Sequence, residues 1–511
     1  LSVTIAPGAP PGDRELRLQT PSGLSNPVCF QVGTLPEVLE PEGMVPPADD
    51  RGSPTAPVVL NGQIMPGDRD RFAVRLQRGS RIVVRVQARH LVPYLADAVP
   101  GWFQATAALL DPSGREVAFA DDFRFDPDPV LLYQVPADGE YTLEVKDALY
   151  RGREDFVYRV VVGELPFITG MFPPAGAVGK PLSVALMGWN LPLNTSELAT
   201  GPGAKWRWAD PLAGRAASGP LPYLVDELPT CVDAEPNNAG SSAQMLTLPM
   251  MVVGRIDQPG DVDVFRFSGR AGMEIVAQVY ARRLYSPLDA RLALVEATGQ
   301  EVAANDDTAD PEFGLLTHQA DPFLQIKLPR DGEYYLRLTE AQGQGGAGCF
   351  YCLQVAPPRP DFAVRLTSAG AGLRVGRPAT LTAHVVRREG FAGEISVALA
   401  GAPEGLNLSG GKIPPDKTTA NLTLSLARPV NPTVFPLRFE ASAPIGGRVV
   451  THPVAPAEDV MQAFAYRHLV PQQEFVVAQL GAKPVPAVWR PLAPGLQVSG
   501  ETPVAVPLGG T

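Results

Sequence analysis

The sequence predicts an all-β protein, an elongated array of β-sandwich domains of jelly-roll-like and Ig-like type. Three observations lead there. Gly (50) and Pro (55) make up about a fifth of the 511 residues and recur along the whole length, a composition that suits short strands and turns and disfavours long helices. Apolar and polar residues alternate: Ile82, Val84 and Val86 against Val83, Arg85 and Gln87, and Tyr141, Leu143 and Val145 against Thr142, Glu144 and Lys146. A period of two marks strands with one face in a core. Finally, the chain repeats itself: "PGDRDRFAV" (66–74) returns as "PGDVDVFRF" (259–267), so that Asp68 becomes Asp261 and Asp70 becomes Asp263, 193 positions later in each case.

Taken in order, residues 1–36 read as the closing strands of a partial Ig-like domain. Residues 37–163 form the first copy of the repeat and 229–357 the second. "GSRIVVRVQARHL" (79–91) matches "GMEIVAQVYARRL" (272–284) at the 193-residue shift, and "LLDPSGREVAFADD" (109–122) matches "LVEATGQEVAANDD" (294–307) at 185. Two loops therefore trade length, around "AVPGWFQ" in the first copy and "PEFGLLTHQ" in the second. "ADGEY" and "RDGEY" are Asp-Gly turns that launch the next strand. A smaller Ig-like domain is expected over 164–228 and another sandwich over 358–456. The Pro-rich tail, 457–511, is expected to contribute strands to a domain it does not complete.

The totals exclude several classes. A net charge of −11 leaves no basic face to neutralise phosphates, so no nucleic-acid partner is expected. No apolar run is long enough for a membrane span. The chain opens at Leu1 without Met, so any targeting segment is expected to lie outside it. Cys29, Cys231, Cys349 and Cys352 are too few for a disulfide scaffold; "CFYC" (349–352) lies in a strand-like run, so the cysteines read as ordinary, with one local disulfide allowed.

In series, "EPNN", "GRIDQPGDVDVFRF", "ARRLYSPLDARLAL", "ANDD" and "LPRDGEYYLRL" resemble the bacterial pre-peptidase C-terminal domain, a jelly-roll-like sandwich appended to secreted proteases and surface proteins. The resemblance covers 230–357 and, less closely, 37–163. Residues 164–228 resemble a TIG-type Ig-like domain, and 361–456 the Ig-like modules of extracellular bacterial proteins. These resemblances imply a secreted, periplasmic or cell-surface location.

The aspartates of the repeat are the candidate site. Asp263, Phe265 and Phe267 share one face of their strand, as do Asp70, Phe72, Val74 and Leu76, and a carboxylate in register with a core strip needs donors or a cation. Upstream of the second copy, "DAEPNN" offers Asp233, Glu235, Asn237 and Asn238 as hard oxygen ligands, which with Asp261 and Asp263 suit Ca²⁺. The related collagen-binding domains of bacterial collagenases hold calcium with an acidic linker that "DAEPNN" resembles. The first copy keeps Glu40 and Glu42 but lacks the Asn pair, which puts a site there in doubt. The competing reading is that Asp68 and Asp261 cap a turn while Asp70 and Asp263 accept backbone amides at a strand start.

The five histidines lie far apart in sequence, and no HExxH, GxSxG or Gly-rich phosphate loop is present. The expected function is non-catalytic: a modular spacer and adhesion protein. Trp102 and Phe103 on the inserted loop are of the kind that stacks on sugars or fills a partner's pocket, which makes an extracellular polysaccharide or protein the expected partner. A plug folded into its own sandwich is the other use for that loop. The alternative function is the accessory substrate-binding region of a larger secreted protease or glycan-active hydrolase.

Overall fold

A computed structural model describes residues 3–40, 54–93, 103–308, 320–461, 467–481 and 496–498. It is all-β. Among the described residues the helical content is one 3₁₀ turn, Arg282–Leu284, and no helix is long and apolar enough to cross a membrane. The alternation read from sequence works as expected in Asp70–Leu76, where Asp70, Phe72, Val74 and Leu76 are buried while Arg71 and Arg75 are exposed.

The repeat appears as two sandwiches with the same strand order, the second carrying one additional edge strand, Gln244–Met245. In the first, one sheet runs Glu37–Leu39, Val58–Gln63, Val157–Gly163, Arg81–Gln87, Val130–Gln134, and the other runs Asp70–Leu76, Gly139–Asp147, Ala105–Leu110, Glu116–Ala120. In the second, Thr230–Val232, Met250–Arg255, Phe350–Ala356, Glu274–Tyr280 and Phe323–Lys327 form one sheet. Gln244–Met245, Val262–Gly269, Gly332–Glu340, Ala290–Glu296 and Glu301–Asn305 form the other. Leu60, Val84 and Leu143 meet in the first core; Phe265, Phe267, Leu336 and Tyr351 meet in the second. Each such side chain contributes about 1.5–3 kcal/mol on burial.

The strand Phe350–Ala356 departs from one-sided alternation. All seven residues of Phe350–Ala356 are buried, because a second apolar layer covers the outer face: Ala175, Leu224 and Leu228 of the preceding small domain pack on Met251, Val253, Phe350 and Cys352. Cys349 faces the sandwich core and Cys352 this outer layer. Neighbours on opposite faces do not bridge, and all four cysteines are free thiols.

The boundary drawn at 456/457 is corrected by the described strands up to Gln479, which belong to the last sandwich. Ala455–Met461 and Arg467–Pro471 extend the sheet of Asp361–Thr367, and Phe475–Gln479 pairs with both Gly370–Leu373 and Val434–Ile445. Phe475 and Val477 enter the core beside Phe439 and Leu373. A sheet left open at 456 would expose that apolar face, so the strands that close it belong to the same unit. At the other end of the chain, Gly12–Leu16 and Val28–Val32 form a hairpin. Its Arg17 is buried and donates to the carbonyls of Ala369 and Glu474 at 3.0 and 2.9 Å, so the first strands dock on the last sandwich.

Candidate metal centre

The second copy's acids gather where the linker from the small domain crosses the mouth of Val262–Gly269. Asp263 follows the first residue of that strand and is fully buried. Its parity is that of Phe265 and Phe267, so its carboxylate points inward with them. One oxygen, Oδ2, accepts the Tyr351 hydroxyl at 2.5 Å. The other, Oδ1, accepts no N–H or hydroxyl, and the Glu235 carboxyl lies close enough to share a hydrogen bond with Asp263.

The carboxylates of Asp233 and Glu235 lie with that of Asp263 in a group whose ligand atoms are all within 4.8 Å of one another. Asn237, also fully buried, braces the group: its Oδ1 accepts the Val264 amide at 3.3 Å, and its Nδ2 donates to Asp233 Oδ1 at 2.5 Å. Its own amide donates to Glu235 at 2.9 Å. Burial, then the neighbouring Asp233, pushes the pKa of Asp263 up to about 9. Burial, then Glu235, pushes that of Asp233 up to about 7. At neutral pH Asp263 holds its proton and Asp233 is partly protonated, unless a cation takes the protons' place.

The six residues singled out from sequence thus divide. Asp233, Glu235, Asn237 and Asp263 come together. Asp261 instead accepts the amides of Asp257 and Val262 at 2.9 and 3.0 Å and the side-chain amide of Asn238 at 2.7 Å, which is the turn-capping role. It remains close enough for its charge to act on Asp263.

Two participants were missed. Tyr351 and Gly254 are direct partners across neighbouring strands, and a Cβ on Gly254 would stand 2.4 Å from the tyrosine hydroxyl and 2.8 Å from Asp233 Cβ. The signal was an isolated glycine inside a strand run, which marks close approach. The first copy uses the same pair: Gly62 faces Tyr158, and a Cβ there would meet Glu40 and the Tyr158 hydroxyl at 2.0 and 2.2 Å. Glu40, Asp68 and Asp70 form a second group within 4.8 Å. Tyr158 donates to Asp70 Oδ2 at 2.5 Å and lies 3.1 Å from Glu40. The doubt raised by the missing Asn pair therefore did not prevent acids from assembling there, although Glu42 lies outside the described residues.

The aromatic loop reads differently. Trp102 lies outside the described residues. Phe103 is folded inward, stacked on Phe156 of its own sandwich with ring centroids 5.2 Å apart, which favours the plug.

No family model matches the chain. Over 108 residues it is 34% identical to a probable subtilase-type serine protease of Deinococcus radiodurans, a match spanning 20% of this chain and 14% of that protein. The chain therefore covers a small part of that relative's length. Among solved structures, the N-terminal eight Ig domains of Down Syndrome Cell Adhesion Molecule align over 79% of this chain and 62% of that one at 12% identity. The TM-score is 0.15, too low to carry an argument about shared architecture.

Proposed function

We propose that this chain is a non-catalytic, modular region of a secreted or cell-surface protein, a spacer and binding array whose second sandwich is stabilised by Ca²⁺. The observation that carries the reading is the fully buried Asp263, whose Oδ1 receives no N–H or hydroxyl donor, gathered with Asp233 and Glu235 where Gly254 lets the Tyr351 hydroxyl and Asp233 approach the strand closely. A buried oxygen without a donor is costly, and a hard dication satisfies several such oxygens at once. Asp233, Glu235 and Asp263 would hold the ion, Asn237 would brace them, and Asp261 would keep its turn.

The test is calorimetric melting of the full chain with calcium and with chelator. Calcium is expected to raise the melting temperature of the second sandwich, by an amount that corresponds to about 2.7 kcal/mol at a hundredfold excess over Kd. Asp263→Asn should abolish the rise. An unchanged melting profile would leave these acids as protonated hydrogen-bonding groups.

A second reading is favoured by the similarity to part of a protease: an accessory region serving a hydrolase. Whether the complete open reading frame encodes a subtilase domain in the same polypeptide decides between the two.

A further inference from the structure

The hairpins that precede the two sandwiches are equivalent. Asp13 of Gly12–Leu16 faces Gln31 of Val28–Val32, and Trp206 of Trp206–Ala209 faces Leu224 of Leu221–Asp226, both members standing 193 positions later. Each hairpin reaches the same loop of the sandwich that follows, "ARHL" (88–91) or "ARRL" (281–284). A buried aspartate clamps that loop in both copies. Asp128 accepts the amides of Ala88, Arg89 and His90, and Asp321 accepts those of Ala281, Arg282 and Arg283. His90 therefore occupies the place that Arg283 holds in the second copy.

The two junctions differ in chemistry. In the second, the Trp206 ring lies against Tyr280 at 5.6 Å and Arg283 at 6.0 Å, an aromatic and cation–π contact. In the first, His90 Nε2 lies 2.8 Å from Asp13 Oδ2, and Cys29, on the neighbouring strand, completes a group whose donor atoms are all within 4.8 Å of one another. One imidazole nitrogen, one carboxylate oxygen and one thiol sulfur, whose pKa burial and then Asp13 push up to about 12 and which only a bound ion would deprotonate, form a mixed set suited to borderline divalent ions, unlike the all-oxygen group described above.

We propose that Asp13, Cys29 and His90 bind a zinc-class divalent cation that clasps the N-terminal hairpin to the first sandwich. Tetrahedral coordination needs donor atoms roughly 3.3–3.6 Å apart, so the Asp13–His90 contact must open by about half an ångström. Both side chains are about one-third exposed, at 35% and 37%, and have room to do so. Gln31 donates to the other Asp13 oxygen at 2.9 Å and orients it, as outer partners of metal ligands do. The thiol proton passes to solvent when the ion binds.

Co²⁺ on the full-length chain is the probe, because a thiolate ligand gives cobalt a charge-transfer band that carboxylates do not. One equivalent should produce that band and Zn²⁺ should remove it. Cys29→Ser should lose it, whereas Cys231→Ser should keep it. His90→Arg installs the second copy's residue and retains a charged partner for Asp13, so the junction should stay docked while cobalt affinity falls at least about tenfold. Absence of the band in the unaltered chain, or its survival in Cys29→Ser, would overturn the assignment. Calcium at the acidic group produces no such band, so the two sites are read independently.

Discussion

At the scale of single residues, the second copy's acids set a pH dependence whose sign follows from their environment. Asp263 and Asp233 are held at about 9 and about 7, against 3.8 for the free side chain. In the unfolded chain both lose their protons near pH 4. The stability that depends on their protonation is therefore full below that value and lost as pH rises, through about 7 for Asp233 and about 9 for Asp263. Asp261 adds negative charge, the Glu235 carboxyl shares a hydrogen bond with Asp263, and Tyr351 donates to Asp263 from the facing sheet. In chelator, the melting temperature of the second sandwich should fall as pH is raised across this window. Calcium should flatten the fall, and a calorimetric pH series checks both. Gly254→Ala belongs to the same scale: the new Cβ would strike the Tyr351 hydroxyl and Asp233, so we expect about 1–3 kcal/mol of destabilisation and loss of the calcium response.

At the scale of elements, the strand Phe475–Gln479 carries the clearest consequence. All five of its residues are buried, and Phe475 meets Phe439 edge-on at 5.1 Å between centroids. Phe475→Ala should cost about 3–5 kcal/mol, measured as a lower melting temperature of the last sandwich. Truncation after residue 456 removes the strand altogether, so limited proteolysis should then degrade 358–456 rapidly while the two repeated sandwiches survive. Tyr351→Phe removes the donor to Asp263 Oδ2 and should cost about 1–3 kcal/mol by leaving a second carboxylate oxygen without an N–H or hydroxyl donor, unless calcium is present.

At the scale of the whole molecule, modules are fixed to one another by a few buried charges. Asp226, at the end of the small domain, is buried; it receives the Arg359 guanidinium in bidentate fashion at 2.7 and 2.9 Å and lies 3.1 Å from Lys205 Nζ. Burial alone would raise its pKa, but Arg359 and then Lys205 outweigh that and leave it lowered. The tie is therefore present above about pH 4 and lost as pH falls below the free value. Asp226→Ala leaves two cations facing each other; with both partly exposed, about 1–3 kcal/mol is expected, below the fully buried case, read as earlier separation of module transitions in calorimetry. Arg17→Ala frees the first hairpin from Ala369 and Glu474, and small-angle scattering should register a larger radius of gyration.

What the sequence by itself determined is the part written in periodicity and repetition. Alternation fixed strands such as Asp70–Leu76, since a period of two leaves one face for a core. The 193-residue shift also announced two sandwiches of one strand order. Inward parity marked Asp70 and Asp263 as buried carboxylates before any coordinates were needed. What only the tertiary structure decided is which distant groups meet. Tyr351 lies 88 positions from Asp263, and no local pattern joins them. Asp261 and Asp263 share a strand entrance, yet one caps a turn and the other turns inward, because backbone amides at the loop compete for the first. Phe103 was read by its loop and is held by Phe156, more than fifty residues on. Asp13, Cys29 and His90 carried no motif, because their spacing is set by how a hairpin docks on a sheet rather than by the chain between them.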